Sequence, residues 1–282
     1  MLKKDNAHVY DELHMNDCCV ARSNSADIIG EVEVIYESKT DGKAIFTRTL
    51  SHNDLLVTGA VFLSEKMNDE RSTFKTIPLD LEIGVHTADQ IEVTNNTISK
   101  ERVCGIMVGN GGCGDTYNTV YKVNRAARSV PGYLPFRVVS VDADLNETDR
   151  AKYMLRVVKG DLVYYYGKRF DIDREVNVQY EDGTLVPTDV DTQVVSKFIK
   201  TFTKYRVTLD QRDIREFFKI TQGSTLRSLI NSVGLITGYP GVAEDGFDEF
   251  FNVRGMTTLN MENKELKDSE STVTFIYKLF IQ

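Results

Sequence analysis

Polar and apolar residues alternate strictly over several stretches of this chain, the period-two signature of a half-buried β-strand. From Ile28 to Tyr36, Val32, Val34 and Tyr36 fall on one side and Glu31 and Glu33 on the other. The turn dipeptide Asp41-Gly42 follows, then the β-prone run Lys43–Arg48, which together predict a hairpin. Leu79, Leu81, Ile83 and Val85 recur at two-residue spacing and predict a strand within Ile77–Val93. Arg102–Val108, Pro135–Val141 and Met154–Phe170 are further β-prone runs, and Val176–Tyr180 and Thr184–Val186 form a second hairpin around Glu181-Asp182-Gly183. Val195–Leu209 alternates throughout, with Ile199, Thr201, Thr203, Tyr205, Val207 and Leu209 opposite Phe198, Lys200, Phe202, Lys204 and Arg206. Thr272–Ile281 closes the series as an alternating strand.

Helical spacing is confined to short islands. Leu56, Ala60, Leu63 and Met67 recur at four, three and four residues, which predicts a helix over Asn53–Met67 capped by Asn53 or Ser51 and covering a sheet face. Asn146, with an acid at Asp149, predicts a short helix running to Tyr153. Thr208 with Gln211 makes a capping box ahead of Ile214, Phe217 and Phe218. Strands follow strands with isolated helices between them, so the fold class is α+β and β-rich, with mainly antiparallel sheets in a sandwich- or barrel-like arrangement and two or three short helices. Residues 1–27 show no periodicity and read as an N-terminal arm. Residues 28–282 form the β-rich body, either one intertwined unit or two halves, 28–132 and 133–282, meeting near Tyr133.

Composition narrows the functional classes. The 282 residues carry 34 Lys and Arg against 42 Asp and Glu, a net charge of −8 without segregation. That leaves no basic footprint for phosphates, so no direct nucleic-acid partner is expected. Met1–Asn6 leads into no apolar run, and no stretch approaches the ~20 residues of a membrane span, so neither signal peptide nor anchor is expected. Synthesis in a reducing cytosol follows, with thiols as the default for Cys18, Cys19, Cys104 and Cys113. Cys104 and Cys113 nevertheless flank a glycine loop, which leaves a disulfide across that turn as the alternative to two buried thiols.

Gly109-Asn110-Gly111-Gly112-Cys113-Gly114 satisfies G-x-G-x-x-G and follows an apolar strand. A dinucleotide site would also require a helix opening at the last glycine and a βαβ setting; here Asp115 follows and the context is a β-meander. The expected role is a tight glycine-built loop with positive φ that packs against a neighbour, without a cofactor. Asp142, Asp144 and Asn146 match the opening of a calcium loop, but Glu147 stands where glycine is required and Tyr153 where the bidentate acid belongs. A helix-capping turn is expected there. His8, His14, Cys18 and Cys19 have the wrong reach for a zinc site, so no metal is assigned. Neither G-x-S-x-G nor H-E-x-x-H occurs, and no enzyme activity is expected. Lys197, Lys200, Lys204 and Arg206 read as a solvated or subunit-facing edge. Tyr164 and Tyr166 share a strand face apart from Tyr165, the feature behind a rival reading as a carbohydrate-binding or adhesin β-sandwich.

Three blocks then carry a resemblance. The loop in Cys104–Gly112, the Leu134-Pro135-Phe136-Arg137 segment with its acidic turn and short helix, and the final Thr274–Phe280 strand together resemble virion structural proteins of large tailed, contractile-tail bacteriophages. The resemblance covers roughly the last two-thirds of the chain. It implies a non-enzymatic neck, collar, tail or baseplate component, made in the host cytoplasm and located in the virion. Its partners would be copies of itself and other virion proteins, in a ring or sleeve. On that reading the contact elements are the 1–27 arm, with His8, His14, Cys18 and Cys19, and the loop Gly109–Gly114. A nucleotide-binding enzyme using that loop is the remaining alternative.

Overall fold

The computed structural model describes residues 28–38, 44–51, 53–74, 77–85, 100–114, 119–171, 174–180, 182, 184–186, 199–223, 228–265 and 271–281. Two antiparallel sheets face each other in a sandwich-like arrangement that is not a closed barrel. The smaller has the order β2 (Ala44–Ser51), β1 (Ile28–Ser38), β14 (Ser271–Ile281), β10 (Ile199–Leu209) and β9 (Arg174–Tyr180). The larger has nine strands. Its main path runs β3 (Asp54–Leu55), β13 (Thr257–Glu265), β11 (Leu229–Val242), β4 (Arg102–Gly109), β8 (Leu162–Arg169) and β6 (Arg137–Ser140). Off this path, β12 (Asp248–Gly255) pairs with β11, β5 (Tyr133–Leu134) with β4, and β7 (Tyr153–Lys159) with β8. Pairs such as β1 with β14 and β4 with β11 join early to late sequence, so the strands of residues 28–132 and 133–282 interleave in both sheets.

Alternation places the core. Val32, Val34, Tyr205, Val207, Phe275 and Tyr277 of the smaller sheet pack with Ile106, Val108, Tyr165, Val233, Leu235 and Leu259 of the larger. A second cluster lies on the outer face of the larger sheet: Cys104 and Met107 join Leu79, Ile83, Leu155, Ile236 and Val253. β4 is thus buried on both faces, which is why it reads as a continuous apolar run.

Four helices occur among the described residues: α1 (Val57–Asn68), α2 (Leu79–Ile83), α3 (Glu147–Arg150) and α4 (Arg215–Gln222). The strand expected within Ile77–Val93 is α2 instead, and residues 86–93 lie outside the description. Leu79 and Ile83 are also four apart, which suits one helical turn, with Pro78 at its start and Gly84 at φ +86° ending it. Buried Asp80 accepts from the backbone N–H of Asn252 and Val253 at 2.9 and 3.0 Å, tying α2 to the left-handed kink of β12 at Asn252, φ +52°.

α1 exists as expected, but its cap and its face differ. Neither Ser51 nor Asn53 caps it: Leu56 takes the N-cap position, and its N–H donates to the Met256 carbonyl at 2.9 Å, so the sheet sets the start. The buried face is Thr58, Gly59, Phe62 and Glu65, whereas Met67 is 80% exposed. The reason is electrostatic. Glu65 turns inward to meet Arg254 at 2.7 Å, and Arg254 also reaches Glu101; of the expected stripe Leu56 stays buried and Leu63 packs against the core, while Ala60 and Met67 face solvent.

The Thr208–Gln211 capping box is not formed. Thr208 belongs to β10 and binds Asp171 through its N–H and hydroxyl, while α4 begins after Ile214, whose N–H donates to Phe136 O at 2.6 Å. α3 is capped by Asn146 as expected, but ends at Arg150, and Tyr153 opens β7. Both hairpin pairings occur, β1 with β2 and Gln179 with Leu185, although the turn residues Asp41 and Gly42 lie outside the description.

Asp80→Ala leaves two N–H groups of β12 without acceptors. We expect a loss of about 3 kcal/mol in urea-unfolding free energy, against a markedly smaller loss for Asp80→Asn, which keeps one acceptor oxygen.

Candidate functional site

Gly109 ends β4 between β11 and β5, opposite Ser232 and Tyr133. None of the loop glycines is left-handed, which corrects the expectation of positive φ; the glycines serve close approach instead. A Cβ at Gly109 would stand 2.2 Å from Pro131 O, and one at Gly112 would stand 2.6 Å from Asn231 O. The amides are spent internally. Asn110 N donates to Gly132 O and Gly111 N to Pro131 O, both at 3.1 Å, and Gly114 N donates to Thr119 O at 2.9 Å. Gly112 N donates to Asn231 Oδ1 at 2.7 Å.

Asn231 is fully buried, and its amide nitrogen returns the clamp to Asn110 O at 3.0 Å and to Asn263 at 2.8 Å. A phosphate cradle needs such N–H groups aimed at the ligand; here they hold the loop to its own chain. In place of a helix, Cys113 and Val120 form an antiparallel bridge. Gly109, Gly112 and Cys113 are buried, Gly111 and Gly114 half-buried, and Asn110 exposed. The loop is therefore a packed corner, not the protrusion its small residues suggest.

Cys104 and Cys113 are both buried and not joined by a disulfide. Cys104 donates to Ile236 O at 3.4 Å and Cys113 to Gly114 O at 3.6 Å. His8, His14, Cys18 and Cys19 lie outside the described residues, as do Asp115 and Lys197. In the acidic turn, Asn146 Oδ1 accepts from Asp149 N at 2.9 Å. Asp144 uses both oxygens, taking the Tyr165 hydroxyl and Leu145 N on one and the Arg156 fork on the other. Burial pushes this carboxyl up, but these donors outweigh it and hold it below the usual carboxylate range. Tyr164 and Tyr166 do share a face, with rings 6.0 Å apart and 12° from parallel. Tyr133 packs edge-on against Tyr166 and Lys159 lies over both, so only half-buried Tyr164 retains surface.

A buried polar cluster around Asp213 has no signature in the sequence. Asp213, which precedes α4, is buried, and its Oδ1 accepts from the Tyr153 hydroxyl at 2.7 Å. Its Oδ2 accepts from Asp210 N at 2.6 Å and is in contact with the Lys168 ammonium from the end of β8. Burial pushes the Asp213 carboxyl up against the pull of Lys168 and Tyr153, and burial with the Asp213 charge pushes the Tyr153 hydroxyl well up, keeping it a donor. Beside them Arg137 pairs with Glu216 at 3.0 Å and lies over the Tyr153 ring.

Lys168 borders a cleft of about 810 Å³ lined also by Lys152, Arg169, Asp171, Asp210 and Gln211. A smaller cavity of about 440 Å³ adjoins Arg150, Tyr153, Tyr165, Arg169 and Glu249. Residues 168 and 213 come from different strands and loops, and no fixed spacing joins them. The available hint was a lysine within a strand otherwise rich in buried residues.

Two outcomes are expected. First, because its amides are occupied, the loop gives no thermal stabilisation with NAD, ATP or GTP, whereas a nucleotide at ~100 times its Kd would add about 2.7 kcal/mol. Second, Glu249 Oε1 accepts from Phe250 N at 2.9 Å and Leu155 N at 3.4 Å, yet burial pushes its carboxyl above the ordinary 4.5. A raised acid favours folding fully only below its unfolded pKa, and that contribution is lost as pH rises towards the folded value. The unfolding free energy of Glu249→Gln relative to wild type therefore increases between pH 4 and pH 7 in urea titrations; an unchanged difference removes Glu249 from the pH response.

Compared with protein-family models, with curated proteins and with solved structures, the chain has no match.

Proposed function

We propose that this chain is a non-enzymatic structural subunit of a tailed bacteriophage virion, in the neck or collar, the tail or the baseplate. It joins copies of itself and neighbouring virion proteins in a ring or sleeve. The observation that carries this reading is the edge of the smaller sheet. β2 pairs with β1 on one side and, among the described residues, with no strand on the other, leaving eight residues of backbone for β-augmentation by a neighbour.

The chemistry of the interior supports the same reading. The buried cations Arg254, Arg137 and Lys168 each bind a carboxylate from another element, joining layers of the fold. The glycine loop is clamped by Asn231, and its occupied amides speak against the nucleotide alternative. Among the described residues no helix is long and apolar enough to cross a membrane. The sequence resemblance supplies the particle, and the 1–27 arm supplies the second contact with an adjacent subunit.

The test is incorporation. The full chain should be found in gradient-purified virions at a stoichiometry matching a ring or sleeve. Deleting residues 1–27 should leave the circular dichroism of the body unchanged while abolishing incorporation. Absence of the chain from purified particles overturns the assignment, and a truncated subunit that incorporates at wild-type levels removes the arm from the mechanism.

A further inference from the structure

We propose that Lys168 and Asp213 condense into an intramolecular isopeptide bond, tying the larger sheet to the segment between β10 and α4. The Lys168 side chain is 5% exposed and that of Asp213 0%, and the ammonium is in direct contact with Oδ2. An ion pair this deeply buried has given up hydration on both sides, a cost its mutual attraction repays only in part. Condensation removes both charges from the interior and leaves a neutral amide.

The surroundings treat the two carboxyl oxygens differently, as the reaction requires. Oδ1 accepts from the Tyr153 hydroxyl at 2.7 Å, while Oδ2 receives Lys168 and the Asp210 N–H at 2.6 Å. The Lys168 ammonium first passes a proton to Oδ2, giving a neutral amine beside a carboxylic acid. Burial favours that exchange, since it raises the Asp213 carboxyl. The Nζ lone pair then attacks Cγ; negative charge develops on Oδ1, where the Tyr153 O–H is already aimed, as in an oxyanion hole.

The Cγ–Oδ2 bond breaks as that oxygen takes a second proton from nitrogen and leaves as water. One proton stays on the amide nitrogen, Oδ1 becomes the amide carbonyl, and no oxidant, reductant or co-reactant is consumed. The adjoining cleft of about 810 Å³, which Lys168 lines, provides the exit for the water. Well-oriented intramolecular pairs reach effective molarities of about 10⁵–10⁸ M, and a water-poor site opposes the reverse hydrolysis. Arg137, fixed by Glu216 and lying over the Tyr153 ring, keeps the phenol in position.

The inference is independent of the virion reading, because its readout is the chain's own mass. The purified full-length chain, unfolded in acid, should be lighter than its sequence by one water molecule. A tryptic digest should contain a branched peptide joining residues 168 and 213, with no cleavage after Lys168. Lys168→Arg should have the full mass. Tyr153→Phe, which keeps the ion pair but lacks the oxyanion donor, should convert at least about tenfold more slowly. A wild-type chain at full mass overturns the proposal, and so does a Lys168→Arg variant that still loses water. Conversion of Tyr153→Phe at the wild-type rate overturns the step as written.

Discussion

Close backbone approach at the corner where β12 turns into β13 is the constraint on which the larger sheet depends. Met256 N donates to Leu235 O at 2.8 Å, Gly255 N to Arg128 O at 3.1 Å, and Leu56 N to Met256 O at 2.9 Å. Three separate stretches of chain thus dock main chain to main chain at one point. Side chains would prevent it: a Cβ at Gly59 would stand 2.2 Å from Met256 O, and one at Gly234 would stand 2.3 Å from Thr257 O. With the corner closed, β11 can hold β4 along one edge while β13 and β12 share the other. The outer cluster around Ile236 and Val253 is then covered by α2.

The corner also explains what the sequence concealed. Strands β1, β10 and β14 are legible because apolar residues recur at two-residue spacing along them, which places Val32, Val34, Tyr205, Val207, Phe275 and Tyr277 in the core. β11, β12 and β13 have no counterpart among the expected strands, although β11 is the longest strand described. It reads Leu-Ile-Asn-Ser-Val-Gly-Leu-Ile-Thr-Gly-Tyr-Pro-Gly-Val, in which buried Asn231, Ser232 and Thr237 break the apolar pattern and glycines imitate turns. Those polar residues are buried because each has a partner: Asn231 clamps the glycine loop, Ser232 bonds to Pro131 O, and Thr237 bonds to Glu101. The same limit applies to the Lys168–Asp213–Tyr153 cluster, whose members become neighbours only through sheet pairing and the turn before α4.

Charge is used inside this protein to set register between layers. Arg254 of β12 bridges Glu65 of α1 and Glu101, the residue before β4, at 2.7 and 2.5 Å. Breaking such a pair strands a charge in a medium that solvates it poorly, so a sliding strand or rotated helix is disfavoured beyond its lost apolar contact. α1 illustrates the outcome, since it presents Glu65 inward and leaves Met67 in solvent.

The ladder between β1 and β14 runs unbroken from Ile28 opposite Ile281 to Ser38 opposite Ser271. Its consequence lies in the order of events at the ribosome. β1 is made well before its partner, which emerges only after some 240 further residues, roughly 10–50 s later at ordinary elongation rates. Through that interval the hairpin of β1 and β2 has both of its outer edges unfilled, and Val32 and Val34 await the strands that will cover them. The two halves of the smaller sheet, β2–β1 and β10–β9, are joined only when β14 takes its place between β1 and β10. Until β14 is available, the open edge of β1 can mispair with neighbouring nascent chains on a polysome.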